Sequence, residues 1–532
     1  MQTMFIYDIF FPKYKIREHE KHLAIKELYC LFPYCNSATV TPNGIQIQVH
    51  EKIDENKLKG LVFFSSFRCK NADFVSHDIL TDQAILENYS VRKTMDNTEG
   101  RDSRTVEARS RKEIRYLSHS LHEYKGRFYP QLAGALLNYT RICAGQTVMD
   151  PFCGSGTALV ESCLRGVNAV GVDLNPIAVL VSQAKVASIQ ISAPDIERIR
   201  KSFRHLKDDS LGWKKTRLNS GTLDNEYLKR WFPQENLMKA LFILKRISKL
   251  SDSNSQTLCK AVLSDLLRQF SYQSPTDLRI RQRKDTPPSN VLDTFKRKLL
   301  VYLSNMRAFH DVKFAVRRAT SCNISARWGD VKFLSEMGIG DACIDAIVTS
   351  PPYATALPYI DTDRLSLVLL GYANRQSVRH LERALIGSRE IQRQILTNLE
   401  KNLMNNASDG LLPEDIVDLL YKIHTLNKNS DVGFRRKNLS ALLYKYFTDM
   451  DIALAQMARV LKKDGTACIV VGGNQTTAGG EKIQIPTDDF IGLIAQRKGF
   501  ALVEKIPMTV QKSYMIHSRN SINTESILIL KR

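Results

Sequence analysis

The chain has 532 residues, 43% of them apolar, and its 76 Lys and Arg against 55 Asp and Glu leave a net charge of +21. A chain of this length can bury a large core in more than one domain, and the charge suits a polyanionic partner. No apolar run approaches membrane-spanning length, the start breaks at Pro12-Lys13 instead of offering a signal core, and the ten cysteines contain no CxxC pair. A membrane protein, a metal site and a disulfide framework are therefore set aside, and a cytoplasmic protein is expected.

In chain order, residues 1–95 combine a helical pattern over 18–31 with strand-like runs at 45–49 and 61–64, which predicts a small α+β module of unknown role, to which no motif assigns chemistry. Arg101, Arg104, Arg109, Arg111, Lys112 and Arg115 then crowd a polar linker. Thr147-Val148-Met149 is β-prone, and the Gly154-Ser155-Gly156 that follows permits a tight turn with close approach of a ligand to bare backbone. Residues 157–164 read as a helix that Gly166 would end. A second strand, 169–172, runs into Asp173, 23 residues after Asp150, the spacing at which an acidic residue meets ribose hydroxyls in nucleotide-binding βαβ units.

Residues 190–320 turn mainly helical, with amphipathic segments at 237–250 and 258–270 and a basic group made of Arg279, Arg281, Arg283 and Lys284. Falling between the second and third strands of the core, this insertion is expected to project from the sheet. The core resumes at strand 324–327, and Gly329-Asp330 after it offers a loop carboxylate able to accept from an adenine amino group. Strand 345–348 leads into Thr349-Ser350-Pro351-Pro352-Tyr353, where neither proline can donate to a ladder. Ser350 Oγ and the Pro351 carbonyl can then accept from an exocyclic amine, and Tyr353 offers a face on which a flipped base can stack.

A second helical excursion spans about 365–446. It carries Arg375, Arg379, Arg383, Arg389 and Arg393, with Arg389 after Ile386-Gly387-Ser388 suited to a phosphate near a flipped base. A helix at 449–461, a Lys462-Lys463-Asp464-Gly465 turn, strand 466–471, helix 490–497 and strand 526–530 complete the chain. None of the cysteines follows a proline, which argues against cytosine-C5 chemistry, and the glycine loop lacks a Gly-Lys-Ser/Thr ending, so triphosphate hydrolysis is unsupported.

The loop Asp150-Pro151-Phe152-Cys153-Gly154-Ser155-Gly156-Thr157, the Thr349-Ser350-Pro351-Pro352-Tyr353 segment and the stretch 119–132 together resemble the cofactor, catalytic and pre-cofactor motifs of DNA amino-methyltransferases, closest to the N4-cytosine group. The resemblance implies an α/β, class I (Rossmann-like) methyltransferase fold: a seven-stranded, mostly parallel sheet, here with an N-terminal α+β module (1–95) and helical insertions. A basic linker and cofactor half (96–189), a target-recognition insertion (190–320) and a catalytic half (321–532) would make up the rest.

It also implies S-adenosyl-L-methionine as cofactor. Phe128 and Pro130 would close over its methionine end, Phe152, Gly154, Gly156 and Thr157 would cradle it, and Asp150, Asp173 and Asp330 would meet its methionine, ribose and adenine parts. Ser350, Pro351, Pro352 and Tyr353 would be catalytic. Double-stranded DNA is the implied partner, and a cognate restriction endonuclease fits as a companion. Adenine N6 in DNA, a base in transfer RNA, and an inactive cofactor- or nucleic-acid-binding subunit stay open beside cytosine N4.

Overall fold

The computed structural model describes residues 4–33, 37–71, 75–87, 116–124, 129–209, 211–215, 224–275, 277, 281–316, 322–354, 359–509 and 524–532. The arginine- and lysine-rich linker from Arg101 to Arg115, Phe128 and Arg279 lie outside the described residues.

The N-terminal module is a five-stranded sheet in the order β2-β3-β1-β4-β5, from β1 (Phe5–Phe10), β2 (Ser37–Thr41), β3 (Gly44–Val49), β4 (Ser66–Lys70) and β5 (Ile79–Leu80), with helix α1 (Glu18–Leu31) and a short α2 (Glu55–Lys59). The strand expected at 61–64 is absent. Leu61, Val62, Phe63 and Phe64 are all buried, whereas a strand turns alternate side chains to opposite faces. The segment is a buried loop, and its Val62 N–H donates to the buried Glu27 carboxylate at 3.0 Å. Strand β4 begins two residues later.

The main sheet holds β6 (Thr147–Asp150), β7 (Asn168–Asp173), β8 (Ile324–Trp328), β9 (Ile344–Thr349), β10 (Leu461–Gly472), β13 (Ala501–Thr509) and β14 (Thr524–Lys531) in the order β13-β14-β10-β9-β6-β7-β8. Its five strands from β10 to β8 run parallel, and β14 inserts antiparallel between β10 and β13. This is the class I methyltransferase fold. Strands β11 (Asn474–Ala478) and β12 (Glu481–Ile485) form a separate hairpin after β10.

Alternation along the strands builds two cores. Val148, Val348, Val470 and Ile529 face one side, with α3 (Pro130–Tyr139) and the N-terminal module, while Met149, Ile347, Ile469 and Leu528 face the other. The module is thus one layer of the sheet's own core. Glu504 on β13 ties it down, paired with His22 at 2.9 Å and Lys26 at 3.2 Å of α1.

After the glycine loop come α4 (Thr157–Leu164) and α5 (Pro176–Gln190), and the insertion supplies α6 (Ala193–Phe203), α7 (Asn225–Trp231), α8 (Gln234–Ile247), α9 (Ser253–Leu267) and α10 (Val291–Val316). Instead of projecting from the sheet, it lies back on α5. Leu258, Val262 and Leu266 of α9 share one apolar cluster with Ile177, Leu180, Val181 and Ala184 of α5, and every residue of α5 except Gln183 and Gln190 is buried.

The second excursion comprises α11 (Tyr359–Leu369), α12 (Arg375–Ala384), α13 (Arg393–Asp409), α14 (Glu414–Lys428), α15 (Phe434–Lys437) and α16 (Leu439–Val460), followed after the hairpin by α17 (Thr487–Arg497). Helix α16 starts ten residues before the expected 449. The expected turn at Lys462 to Gly465 is an irregularity inside β10, where the register shifts between Leu461 and Thr466 and Asp464 takes φ +64°. Among the described residues no single helix is long and apolar enough to cross a membrane.

Candidate active site

Strands β6 and β9 are neighbours, and the helices that follow leave them in opposite directions along the sheet. At such a switch point the carboxyl ends of the strands open a crevice, the place where parallel α/β sheets hold ligands. Both motifs sit there: the glycine loop leaves β6 at Asp150, and Ser350 follows β9 directly.

The glycine loop is held by main-chain bonds. Cys153 N–H donates to Val172 O at 2.9 Å and Gly156 N–H to Cys153 O at 2.7 Å, while Ser182 Oγ of α5 donates to Gly154 O at 2.7 Å. Gly154 (φ +47°) and Gly156 (φ +76°) occupy the left-handed region, and a Cβ on Gly156 would stand 2.8 Å from Ser182 Oγ. Cys153 is buried against Gly171 of β7, where a Cβ would meet it at 2.9 Å, so it serves as a small packing residue. Thr157 opens α4 and is buried; Phe152 packs, half-buried, into the core on the side of α16.

Asp173 closes the loop from the second strand. Its carboxylate accepts from Gly154 N–H at 2.9 Å and Asn175 N–H at 2.8 Å, and burial pushes it up to about 6. Asp150, 2% exposed, accepts from Phe152 N–H at 3.2 Å and from Thr349 Oγ1 at 2.6 Å; burial pushes it up to about 7. The Thr349–Asp150 bond joins the two motifs across 199 residues of sequence. Asp330 caps the short turn after β8, accepting from Lys332 N–H at 3.0 Å, with Lys332 Nζ 3.5 Å away. Gly329 N–H donates to Asp173 O at 3.1 Å, which brings this loop beside the second strand's end.

The Ser-Pro-Pro-Tyr segment is held by side chains. Ser350 Oγ donates to Val470 O of β10 at 3.0 Å, Tyr353 OH to Glu525 Oε1 of β14 at 2.7 Å, and Asn474 Nδ2 to Ala354 O at 2.6 Å. With its proton committed to Val470, the Ser350 oxygen keeps its lone pairs for an incoming N–H. Pro351 is buried, Pro352 half-buried, and the Tyr353 ring is half-buried against the core.

Several neighbours escape a reading by motif. Tyr124 lies against the loop, its Cε1 3.2 Å from where a Cβ on Gly154 would sit. It belongs to the stretch 119–132 but carried no separate signal. Pro130 of that stretch is buried as the first residue of α3, behind Tyr129, whose hydroxyl donates to Glu20 of α1 at 3.0 Å. Asp363 of α11 accepts from Asn175 Nδ2 at 2.7 Å and is pushed up to about 6 by burial. Trp328, 57% exposed, donates its indole N–H to Leu174 O at 3.0 Å beside the end of β7.

The basic candidates divide. Arg281 and Lys284 are exposed, whereas Arg283 is engaged with Asp285 and with Gln269 O. Arg389 is exposed on the loop between α12 and α13.

The crevice fits a nucleoside-bearing sulfonium cofactor on its own geometry. Ser155 Oγ, 2% exposed within the glycine loop, has no hydrogen-bond partner among the described residues, so a polar ligand group would satisfy it. Bare backbone at Gly154 and Gly156 and a carboxylate at Asp173 complete an acceptor set for an amine and hydroxyls.

Comparison with known proteins agrees. The family described as "RMKL-like, methyltransferase domain" matches residues 121–200. The chain is 23% identical over 405 residues to the type II methyltransferase M.MvaI of Kocuria varians, covering 74% of this chain and 84% of that one. It is 24% identical over 420 residues to the type II methyltransferase M.BsoBI of Geobacillus stearothermophilus, covering 72% and 78%. A shorter match, 36% identical over 86 residues (16% of this chain, 25% of the other), is to a tRNA (guanine(10)-N2)-dimethyltransferase of Methanothermobacter thermautotrophicus. With the seven-stranded sheet, the two motifs at its switch point and relatives that extend over most of its length, the chain is similar to type II DNA methyltransferases, and its cofactor is S-adenosyl-L-methionine.

Proposed function

We propose that the protein methylates the exocyclic N4 amine of cytosine in double-stranded DNA, acting on a base rotated out of the duplex. The observation that carries this reading is the Thr349–Asp150 bond, which sets Ser350 and the glycine loop side by side at one end of the sheet. S-adenosyl-L-methionine supplies a methyl group on a positively charged sulfur.

The protein's own residues prepare the nucleophile. A cytosine amine is weakly nucleophilic because its nitrogen lone pair is delocalised into the ring. Ser350 Oγ and the Pro351 carbonyl accept hydrogen bonds from its two N–H groups and draw the nitrogen out of conjugation, and Tyr353 covers the ring's face. Gly154, Ser155, Gly156 and Thr157 bind the cofactor with Phe152 and Asp150, Asp173 holds ribose hydroxyls, and Asp330 is the proposed acceptor for the adenine amino group. Ser350 is a neutral acceptor with no carboxylate beside it in the motif, which favours the cytosine amine over an adenine N6. Arg281, Lys284 and Arg389 are proposed phosphate contacts, and a cognate endonuclease is the proposed companion.

The match to the tRNA enzyme favours a second reading, methylation of a guanine amine in transfer RNA. One experiment separates them. The protein is incubated with methyl-labelled cofactor and, in parallel, unmethylated duplex DNA and bulk transfer RNA, and the modified nucleosides are identified by mass spectrometry. N4-methylcytosine in DNA is the expected product; N6-methyladenine corrects the base, and label confined to transfer RNA overturns the substrate.

A further inference from the structure

Glu525 lies outside both motifs, 172 residues beyond Tyr353, yet its carboxylate accepts the Tyr353 hydroxyl at 2.7 Å. Three adjacent strands bring this about. Ser350 follows β9, its hydroxyl reaches Val470 O of β10, and Glu525 pairs with Gly472 across the β10–β14 ladder. Ser350, the end of β10 and Glu525 therefore stand in a row along one rim of the sheet, and Tyr353 folds back across that row to its far end.

We infer that Glu525 is a positioning residue for the base-stacking tyrosine. A tyrosine held only by packing can rotate about its first side-chain torsion, and each ring orientation presents a different face to an incoming base. A hydroxyl bonded to a partly desolvated carboxylate removes that freedom before the base arrives, so the ordering cost falls on folding and not on each turnover. Asn474, on the strand just beyond β10, braces the same segment from its other end through Ala354 O. The segment is thereby held on both sides of its tyrosine, by Glu525 of the antiparallel strand β14 and by Asn474 of the hairpin after β10, neither of which belongs to the cofactor site described above.

This inference rests on the proposed amine methylation, and the experiment keeps the two apart. Label transfer from methyl-labelled cofactor into unmethylated duplex DNA, cofactor affinity by calorimetry and melting temperature are measured for the wild type, Tyr353→Phe, Glu525→Ala, Glu525→Gln and the Tyr353→Phe/Glu525→Ala pair. Loss of one charge-assisted bond predicts that Tyr353→Phe and Glu525→Ala each lower kcat about tenfold with cofactor affinity unchanged. The double variant should be no worse than either single one, since both remove the same bond. Glu525→Gln, whose amide oxygen still accepts, should recover most of the loss. Full-rate Tyr353→Phe and Glu525→Ala proteins, or losses that simply multiply in the double variant, overturn the clamp while leaving the methylation reading intact. A wild-type protein that puts no label into DNA overturns both.

Discussion

The two loops at the switch point stand side by side and are held in different ways. The glycine loop after β6 is fixed by its own backbone and by Asp173 and Ser182, all within about thirty residues of sequence. The segment after β9 is fixed by side chains and strands 120 to 172 residues away: Val470, Asn474 and Glu525. A cofactor loop must reproduce one shape for one ligand, and backbone bonds with left-handed glycines do that rigidly. The segment proposed to handle a base would have to admit and release a large substrate, and side-chain clamps on a short turn give it definition without making it part of a helix or ladder. The two loops should consequently fail differently.

The largest effect is expected at Gly156→Ala. At φ +76° the left-handed conformation costs an alanine about 1–2 kcal/mol, and its Cβ would also press on Ser182 Oγ. Cofactor binding by calorimetry should be lost and the melting temperature lowered; a variant that melts and binds like the wild type would show that the loop is not held as tightly as its bonds indicate.

Ser350→Ala should behave in the opposite way. Removing the amine acceptor is expected to slow label transfer by about a hundredfold while cofactor affinity and melting temperature hold, because the hydroxyl acts on the reacting group and its bond to Val470 is one of several that fix the segment. Wild-type turnover would remove Ser350 from the catalytic set.

A smaller effect is set by pH. Asp173 and Asp363, up at about 6, and Asp150, up at about 7, are raised carboxyls, so the stability they contribute is full below the unfolded value near 4 and is lost as pH rises through 6 to 7. A cationic ligand whose hydroxyls need an ionised acceptor has the reverse preference. Cofactor affinity is expected to tighten by about tenfold between pH 5 and pH 7, one unit of protonation at Asp173 corresponding to one decade, and Asp173→Asn should flatten the profile. An unchanged profile in that variant would take Asp173 out of the ribose contact.

The smallest effect falls on the surface. Arg281→Ala and Lys284→Ala should each weaken DNA binding a few-fold at physiological salt and reduce the salt slope by about one, with cofactor affinity unmoved. Arg283→Ala serves as an internal contrast, since its guanidinium is already engaged with Asp285 and Gln269 O. An equal loss at all three positions would place the contact elsewhere on the insertion.

The local part of this design was legible in the amino-acid sequence. Strands β6 and β9, the loop glycines and Ser350 at the end of β9 announce themselves through apolar runs that stop at proline or a glycine turn, and Asp173 through the short apolar run of β7 that it ends, because a buried strand is rich in apolar residues and a left-handed turn favours glycine. The elements misread were those where burial and periodicity disagree. Residues 61–64 are apolar enough for a strand but lie in a loop covered on all sides. The insertion at 190–320 falls between two core strands, which predicts a projecting arm, yet it packs back on α5, whose residues other than Gln183 and Gln190 are all buried.

Tertiary structure alone decided the long-range partners. The sequence by itself determined that a glycine turn and a Ser-Pro-Pro-Tyr turn exist and end strands. That the two strands are neighbours, that Thr349 bonds Asp150, and that Glu525 reaches Tyr353 follow from strand order, which places β14 beside β10 and β9 beside β6 irrespective of distance along the chain. A carboxylate such as Glu525 sits in an ordinary strand sequence with no neighbouring motif. Its role arises only when hydrogen-bonded ladders bring its strand to the rim where the tyrosine ends, and a pattern read over a few adjacent residues cannot contain that information.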